Sequence, residues 1–201
     1  MNDSSPSACS LCRTEQLDKL IRTEPQLARQ WAGLPHRRLA AGETLLRQGA
    51  TVGHAWLIEK GVLRCYFLSE DGVERNKSFH AEGEWVGVCF PGIQSPSPYT
   101  IAALEAAELV ELPQAIMARW LDEFPVARAY IDEALNYLMH EQTLREAELL
   151  LRSPEQRYQS FLAEQGAIAE RIPLHHAASY LGVTNVTLSR IRARLGLIER
   201  S

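Results

Sequence analysis

Nowhere does the 201-residue chain carry the roughly 18 to 20 uninterrupted apolar residues that a membrane helix requires, so a helical span is excluded. Cysteine is scarce: Cys9, Cys12, Cys65 and Cys89 are too few and too scattered for a disulfide scaffold. The first twelve residues contain no basic segment followed by an apolar one, as an export signal would. Free thiols and no leader point to a cytoplasmic protein. A Gly-rich phosphate loop, an activated-serine elbow and paired catalytic carboxylates are all missing. So is the His-x-His pair from which a cupin-like metal enzyme builds its site. The expectation is a protein that is not an enzyme.

What is present is an ordinary globular composition, 46% hydrophobic and 23% charged, long enough to bury a core. Its net charge of −4 is unevenly spread. Residues 1–151 hold 14 Lys/Arg against 21 Asp/Glu, whereas residues 152–201 hold 7 against 4. A small basic module behind an acidic body suggests that a polyanion meets the C-terminal end alone.

Gly42, Gly49, Gly61, Gly72 and Gly83 punctuate the first half at intervals of 7, 12, 11 and 11 residues, the spacing of an all-β roll or barrel. Short strand-like runs lie between them, including Val62 to Leu68 and Trp85 to Cys89, and Asp71-Gly72 supplies a hairpin turn. Residues 36–112 thus read as seven or eight antiparallel strands. After Pro113 the period changes. From Val126 to Leu151 no Gly or Pro interrupts a helix of about seven turns, with Pro125 suited to its first turn. Ile131, Leu138 and Arg145 repeat by sevens, as do Leu135, Gln142 and Leu149, outlining a seam with polar residues in its middle. So long a helix would leave apolar surface uncovered on a small roll, which favours a homodimer over packing within one chain. Ser153-Pro154-Glu155-Gln156 is a capping box that opens the C-terminal module. The chain divides into an arm and roll (1–124), a long helix (125–152) and a C-terminal unit (153–201). The fold class is α+β.

Leu174 to Leu195 has the requirements of a helix-turn-helix. Ala178 is small where two helices would touch, Gly182 can take a left-handed turn, and Thr184 can cap the second helix. Ala177, Leu181, Val183, Leu188, Ile191 and Leu195 supply the shared core. That leaves Asn185, Val186, Ser189, Arg190, Arg192 and Arg194 outward. Arginine can grip guanine O6 and N7, asparagine can reach adenine, and valine can touch a thymine methyl. Arg190 is the principal candidate base reader, with Asn185, Val186 and Ser189 as secondary readers and Arg192 and Arg194 on phosphates; Thr184 and Thr187 complete the interface.

Residues 36–198 resemble the Crp/Fnr family of bacterial transcription regulators. The resemblance rests on Ala41-Gly42-Glu43-Thr44-Leu45-Leu46-Arg47-Gln48-Gly49, Ile58-Glu59-Lys60-Gly61, Gly83-Glu84-Trp85-Val86-Gly87, Ser153 to Tyr158, Ala178 to Thr184 and Thr187 to Ile191. It implies a cyclic-nucleotide-binding-like roll, a dimerisation helix and a helix-turn-helix. It also implies a homodimer on two-fold related double-stranded DNA, with RNA polymerase as a partner. Two features depart from the family. Val186 stands where members commonly place a cytosine-reading glutamate, and the chain ends six residues after Leu195, leaving little or no wing.

The resemblance further implies a cassette in which a glutamate takes the ribose hydroxyl of cyclic AMP and an Arg-Ser pair takes its phosphate. Here Val88 replaces the glutamate, and Ser97-Pro98 stand where Arg-Ser would be. Loss of the arginine removes the strongest charge-assisted contact, so cyclic AMP is not the expected effector. Trp56, Trp85, Val88, Ser97 and Tyr99 are candidate pocket residues. Oxygen sensors of the family hold an iron–sulfur cluster, and Cys9, Cys12, Cys65 and Cys89 are its alternative ligand set here. With Cys65 expected to point into a packed strand, no cofactor is the preferred reading. His175 and His176 are expected to face phosphate or solvent. The alternatives to a DNA-binding regulator are a dimeric small-ligand or redox module that does not bind DNA and, last, the cupin-like enzyme. The expected mechanism is a population shift: a change in the roll alters the helix pair and repositions the recognition helices.

Overall fold

The computed structural model describes residues 24–87 and 95–197. Cys9, Cys12, Val88 and Cys89, named above, lie outside the described residues. A short helix, α1 (Pro25–Ala32), precedes eight strands: β1 (His36–Leu39), β2 (Thr44–Leu46), β3 (His54–Lys60), β4 (Leu63–Leu68), β5 (Glu74–His80), β6 (Trp85–Val86), β7 (Thr100–Ala103) and β8 (Ala107–Pro113). They form two antiparallel four-stranded sheets, ordered β1-β8-β3-β6 and β2-β7-β4-β5. Helices α2 (Gln114–Glu123), α3 (Pro125–Leu151) and α4 (Pro154–Gln165) follow, then a 3₁₀ turn (Gly166–Arg171), α5 (Leu174–Leu181) and α6 (Asn185–Arg194). The α+β class is as the spacing of glycines and the later helical period imply.

Alternation along the strands separates two cores. Trp56, Ile58, Leu63, Cys65, Val86, Ile101 and Leu109 meet between the sheets. Leu57, Val110 and Leu112 point the other way, with Trp85 packed beside them, onto Leu27 of α1, Met117 and Trp120 of α2 and Ala127 of α3. The register shows the division directly, because Trp56 pairs with Val86 while Leu57 pairs with Trp85. Gly61, at φ +100°, lets β3 turn into β4 where a Cβ would stand 2.8 Å from the Ala107 Cβ.

In β4–β5, Cys65 pairs with Ser78 but Tyr66 pairs with Asn76, so Lys77 is an extra residue in the ladder. The bulge reverses the alternation. Asn76 and Phe79, three positions apart, thereby both face the C-terminal unit, while the Ser78 and His80 side chains hydrogen-bond each other at 2.9 Å.

Helix α3 runs for 27 residues, about 40 Å. Its first half lies along the roll. Beyond that, Met139 is 72% exposed and Leu150 and Leu151 are 75% and 83% exposed, an uncovered apolar edge. Arg145 does not stand in the seam proposed from the heptads. It turns to the C-terminal unit of its own chain, where its guanidinium lies 3.8 Å above the Tyr180 ring and donates to the Tyr180 carbonyl. Buried Glu148 holds it at 3.3 Å and Arg152 at 2.7 Å. A cation with an aromatic face and a carboxylate within reach has no reason to remain at a helix–helix seam. The capping box at Ser153 forms as read, with both Ser153–Gln156 hydrogen bonds present. From Gly166 to Arg171 the chain forms the 3₁₀ turn.

Candidate nucleic-acid interface

The C-terminal unit is held by one apolar cluster in which Ala177, Ala178 and Leu181 of α5 meet Leu188 and Ile191 of α6. Gly182 terminates α5 in the left-handed conformation, φ +69° and ψ 32°, and the Val183 amide donates back to the Ala178 carbonyl at 3.0 Å. Thr184 then caps α6, its hydroxyl accepting from the Thr187 amide at 3.1 Å and lying 2.9 Å from the Thr187 hydroxyl. These two threonines form the cap that fixes where α6 starts, and Thr184 is exposed.

From that start, Asn185, Ser189, Arg190 and Arg194 are exposed and Val186 is 61% exposed. Arg192 is half-buried. No salt bridge among the described residues engages Arg190 or Arg192, while Arg194 lies 3.1 Å from Glu155. The structure thus brings Asn185, Val186, Ser189 and Arg190 to the N-terminal two turns of one uncovered helix. The unpaired amides and positive dipole end of that helix favour an anion.

Of the described pocket candidates, Trp56 and Tyr99 both adjoin the inter-sheet core and Ser97 bonds to Tyr99, but Trp85 is divided from them. Trp56 lies in the inter-sheet core with its indole N–H donated to Glu111 at 2.9 Å, whereas Trp85 faces the helices. Ser97 is buried and its hydroxyl donates to the Tyr99 carbonyl at 2.6 Å, so it is committed to its own loop. Tyr99 packs beside Phe67, with the Lys77 ammonium 5.4 Å from its ring centre. Neighbouring strand residues face opposite sides, which is why two tryptophans that read as pocket neighbours are divided. An open apolar groove lies between the roll and α3. Ala55, Trp85 and Leu112 line one side and Ile131, Leu135 and Leu138 the other. The buried Trp85 indole nitrogen there has no hydrogen-bond partner among the described residues.

Cys65 is buried among Ile58, Leu63 and Ile101 and does not fit a cluster ligand, since a metal centre at its sulfur would displace the inter-sheet core. Among the described residues no group of three or more His, Cys, Asp or Glu is placed to hold a metal ion. His80 reaches the same interior. It lies 3.0 Å from Glu84, and although burial works against its charge, hydrogen bonds with Cys65 and Glu84 push its pKa up to about 10.

The expectation for the adjacent histidines is corrected in part. His175 is exposed, but His176 faces the roll, its Nδ1 3.2 Å from the Asn76 side-chain nitrogen. Sequence reading missed this contact and that of Arg171, which reaches Glu82 at 2.7 Å and also Glu105. The partners are 66 to 100 residues apart in sequence, and no local pattern joins them.

The chain is thus a roll joined through one long helix to a helix-turn-helix. Residues 36–124 match the family described as "Cyclic nucleotide-binding domain". The transcriptional activator protein FnrA of Stutzerimonas stutzeri is 29% identical over 182 residues, covering 81% of this chain and 72% of FnrA. Electron transport regulator A of Shewanella oneidensis is 28% identical over 177 residues, covering 79% of this chain and 68% of that protein. The structure of FixK2 from Bradyrhizobium japonicum shares the fold with a TM-score of 0.71 at 19% identity, over 82% of this chain and 85% of FixK2. The chain thus contains a domain matching the cyclic nucleotide-binding family, and its likeness to these named regulators extends over about four-fifths of its length. Among the described residues, no helix is long and apolar enough to cross a membrane.

Proposed function

We propose that the protein is a homodimeric, DNA-binding transcription regulator of the Crp/Fnr type, cytoplasmic and not an enzyme. The observation that carries this reading is the N-terminal half of α6: four polar or small readers on an uncovered face above a cap that fixes their position. Arg190 reads a base edge, Asn185, Val186 and Ser189 assist, and Arg192 and Arg194 contact phosphates, the latter by leaving Glu155. Dimerisation is supported by the bare edge of α3 and by the groove at Ile131, Leu135 and Leu138, which contains two members of one heptad repeat and one of the other. RNA polymerase is the further partner that a family role in transcription requires.

The test is gel-shift analysis of the whole protein on a library of random duplexes, at stated salt, with sedimentation in parallel. A dimer that selects two-fold related half-sites about one helical turn apart, with affinity falling steeply as salt rises, is the expected result. A dimer that retains no duplex at low salt supports instead the signalling module without DNA.

The effector is not cyclic AMP. Ser97 is committed to its loop, and Val88 offers no carboxylate. Titration calorimetry with cyclic AMP is expected to show no heat of binding in the micromolar range; a micromolar site would overturn this. No cofactor is assigned. An effector acting in the roll would shift the balance between positions of the reading helices, with α3 and β5 as the elements that join the two ends.

A further inference from the structure

The C-terminal unit does not hang from α3 alone; it is seated on the free edge of β5. That strand ends its sheet, so its outward backbone groups need partners. Ser179 of α5 supplies one, its hydroxyl accepting from the Asn76 amide at 3.0 Å and lying 3.3 Å from the Glu74 carbonyl. The Asn76 side chain, turned outward by the bulge at Lys77, donates to the His176 carbonyl at 3.0 Å and stands 3.2 Å from His176 Nδ1. Arg64 Nη1 is 3.2 Å from the Asn76 oxygen and 3.5 Å from the same His176 nitrogen. Arg64 is also ion-paired to Glu74 at 2.6 Å.

Two donors therefore converge on His176 Nδ1. The orientation of the Asn76 amide is set by its other contacts: a carbonyl accepts from its nitrogen and a guanidinium donates to its oxygen. Only an Nδ1 carrying its lone pair satisfies both. An N–H at that atom would oppose the amide N–H and the arginine together. Because α5 shares its core with α6 through Leu181, Leu188 and Ile191, whatever seats α5 also sets the attitude of the reading helix.

We propose that His176 is a positioning residue, gripped through Nδ1 by Asn76 and Arg64, that seats the DNA-reading unit on the edge of the sensor roll and fixes the spacing of the two reading helices in the dimer. This rests on the function proposed above, but the seating exists independently of DNA. The charged and titratable groups facing His176 are Arg64 on β4, Glu74 on β5 and His175 beside it on α5. Burial first, then the Arg64 and His175 charges, lower its pKa to about 4. A histidine released to water titrates near 6.5. Between those values the released state takes up a proton that the seated state refuses. The seat is therefore firm above about pH 6.5 and weakens as pH falls toward 4. The second fastening, Arg171 on Glu82, is unaffected across that span. Its hydrogen bond to Glu82 holds that carboxyl down at about 2.

The test uses the full-length chain, the variants H176N and N76A, and hydrogen exchange at the Asn76 amide, expressed as protection relative to the unstructured rate at each pH. Asn in place of His176 keeps an acceptor near the position of Nδ1 and does not titrate. In the wild type, protection is expected to fall on the order of tenfold from about pH 7.5 to about pH 5, allowing for the partial exposure of the ring. H176N should hold its protection across that range, and N76A, read at the neighbouring Lys77 and Ser78 amides and on α5, should be weakly protected at both ends. Unchanged circular dichroism separates release from unfolding, and H176N stands as the informative variant where N76A fails to fold. On the duplex selected by the wild type, N76A is expected to lose discrimination against half-sites respaced by one base pair. The same pH response in H176N as in the wild type overturns the proposal. So does an undiminished spacing preference in a folded N76A. A protein that selects no duplex at all defeats the DNA-binding function while leaving the exchange result to decide the seat.

Discussion

Substitution of Arg190 by alanine is expected to weaken binding to the selected duplex by about 5- to 150-fold, the equivalent of about 1–3 kcal/mol, with far less effect on unrelated duplex. The difference between the two duplexes is the informative quantity. Arg190 is exposed one turn beyond Val186, with no salt bridge to break before it can reach a base edge. A guanidinium that grips guanine bidentately contributes only where the guanine stands, so its loss should appear at the selected site and leave the salt slope unchanged. Arg192 and Arg194 should behave in the opposite way. Replacing either weakens all duplexes alike and reduces the salt slope by about 1. Arg194 should show the smaller loss, because its pairing with Glu155 must be given up on binding. Anisotropy titrations at several salt concentrations check all three. Equal losses on selected and unrelated duplex would remove Arg190 from base reading.

The second large effect falls on stability. Leu188 is 0% exposed and sits where α6 crosses α5. Leu188→Ala leaves a cavity that two short helices can only partly close, at a cost of about 2–5 kcal/mol. For a chain of this size that corresponds to a fall in Tm of about 4–20 °C. Leu188→Met, which conserves volume, should cost less than about 1.5 kcal/mol. The same cluster includes Phe79 of the roll, so the loss is expected to loosen the seat of the C-terminal unit as well as its interior. Thermal unfolding followed by circular dichroism distinguishes this variant from Arg190→Ala, which should melt as the wild type does. A Leu188→Ala protein with unchanged Tm would show that the α5–α6 crossing contributes little to holding the fold.

The reading helix was legible because its signals are local. A small residue, a glycine and a threonine within seven positions determine a close crossing, a left-handed turn and a cap, and each appears at Ala178, Gly182 and Thr184. The same holds for Ser153 and Gln156, and for the long uninterrupted helix up to Leu151. The pocket was not legible. Trp56 and Trp85 each read as roll interior, but which sheet face a tryptophan occupies depends on strand register, and Trp85 pairs with Leu57 rather than with an inward residue. Arg145 reads as a heptad position, and its true partner Tyr180 lies 35 residues along the chain. Helix α1, which carries Trp31 to Trp85 and Trp120, is not legible because the eight residues Pro25–Ala32 give too short a period to recognise.

The seat on β5 shows where that boundary lies. The amino-acid order alone determined the strands of the roll, the long helix and the helices after it, where the turns between them fall, and which side of the last helix is polar. Those properties follow from backbone conformation and from periodicity over a few residues. That His176 turns to the roll while His175 turns to water was decided only by tertiary packing. It depends on one extra residue in a strand a hundred positions earlier, which aims Asn76 outward, and on the unpaired sheet edge that brought α5 there to satisfy it.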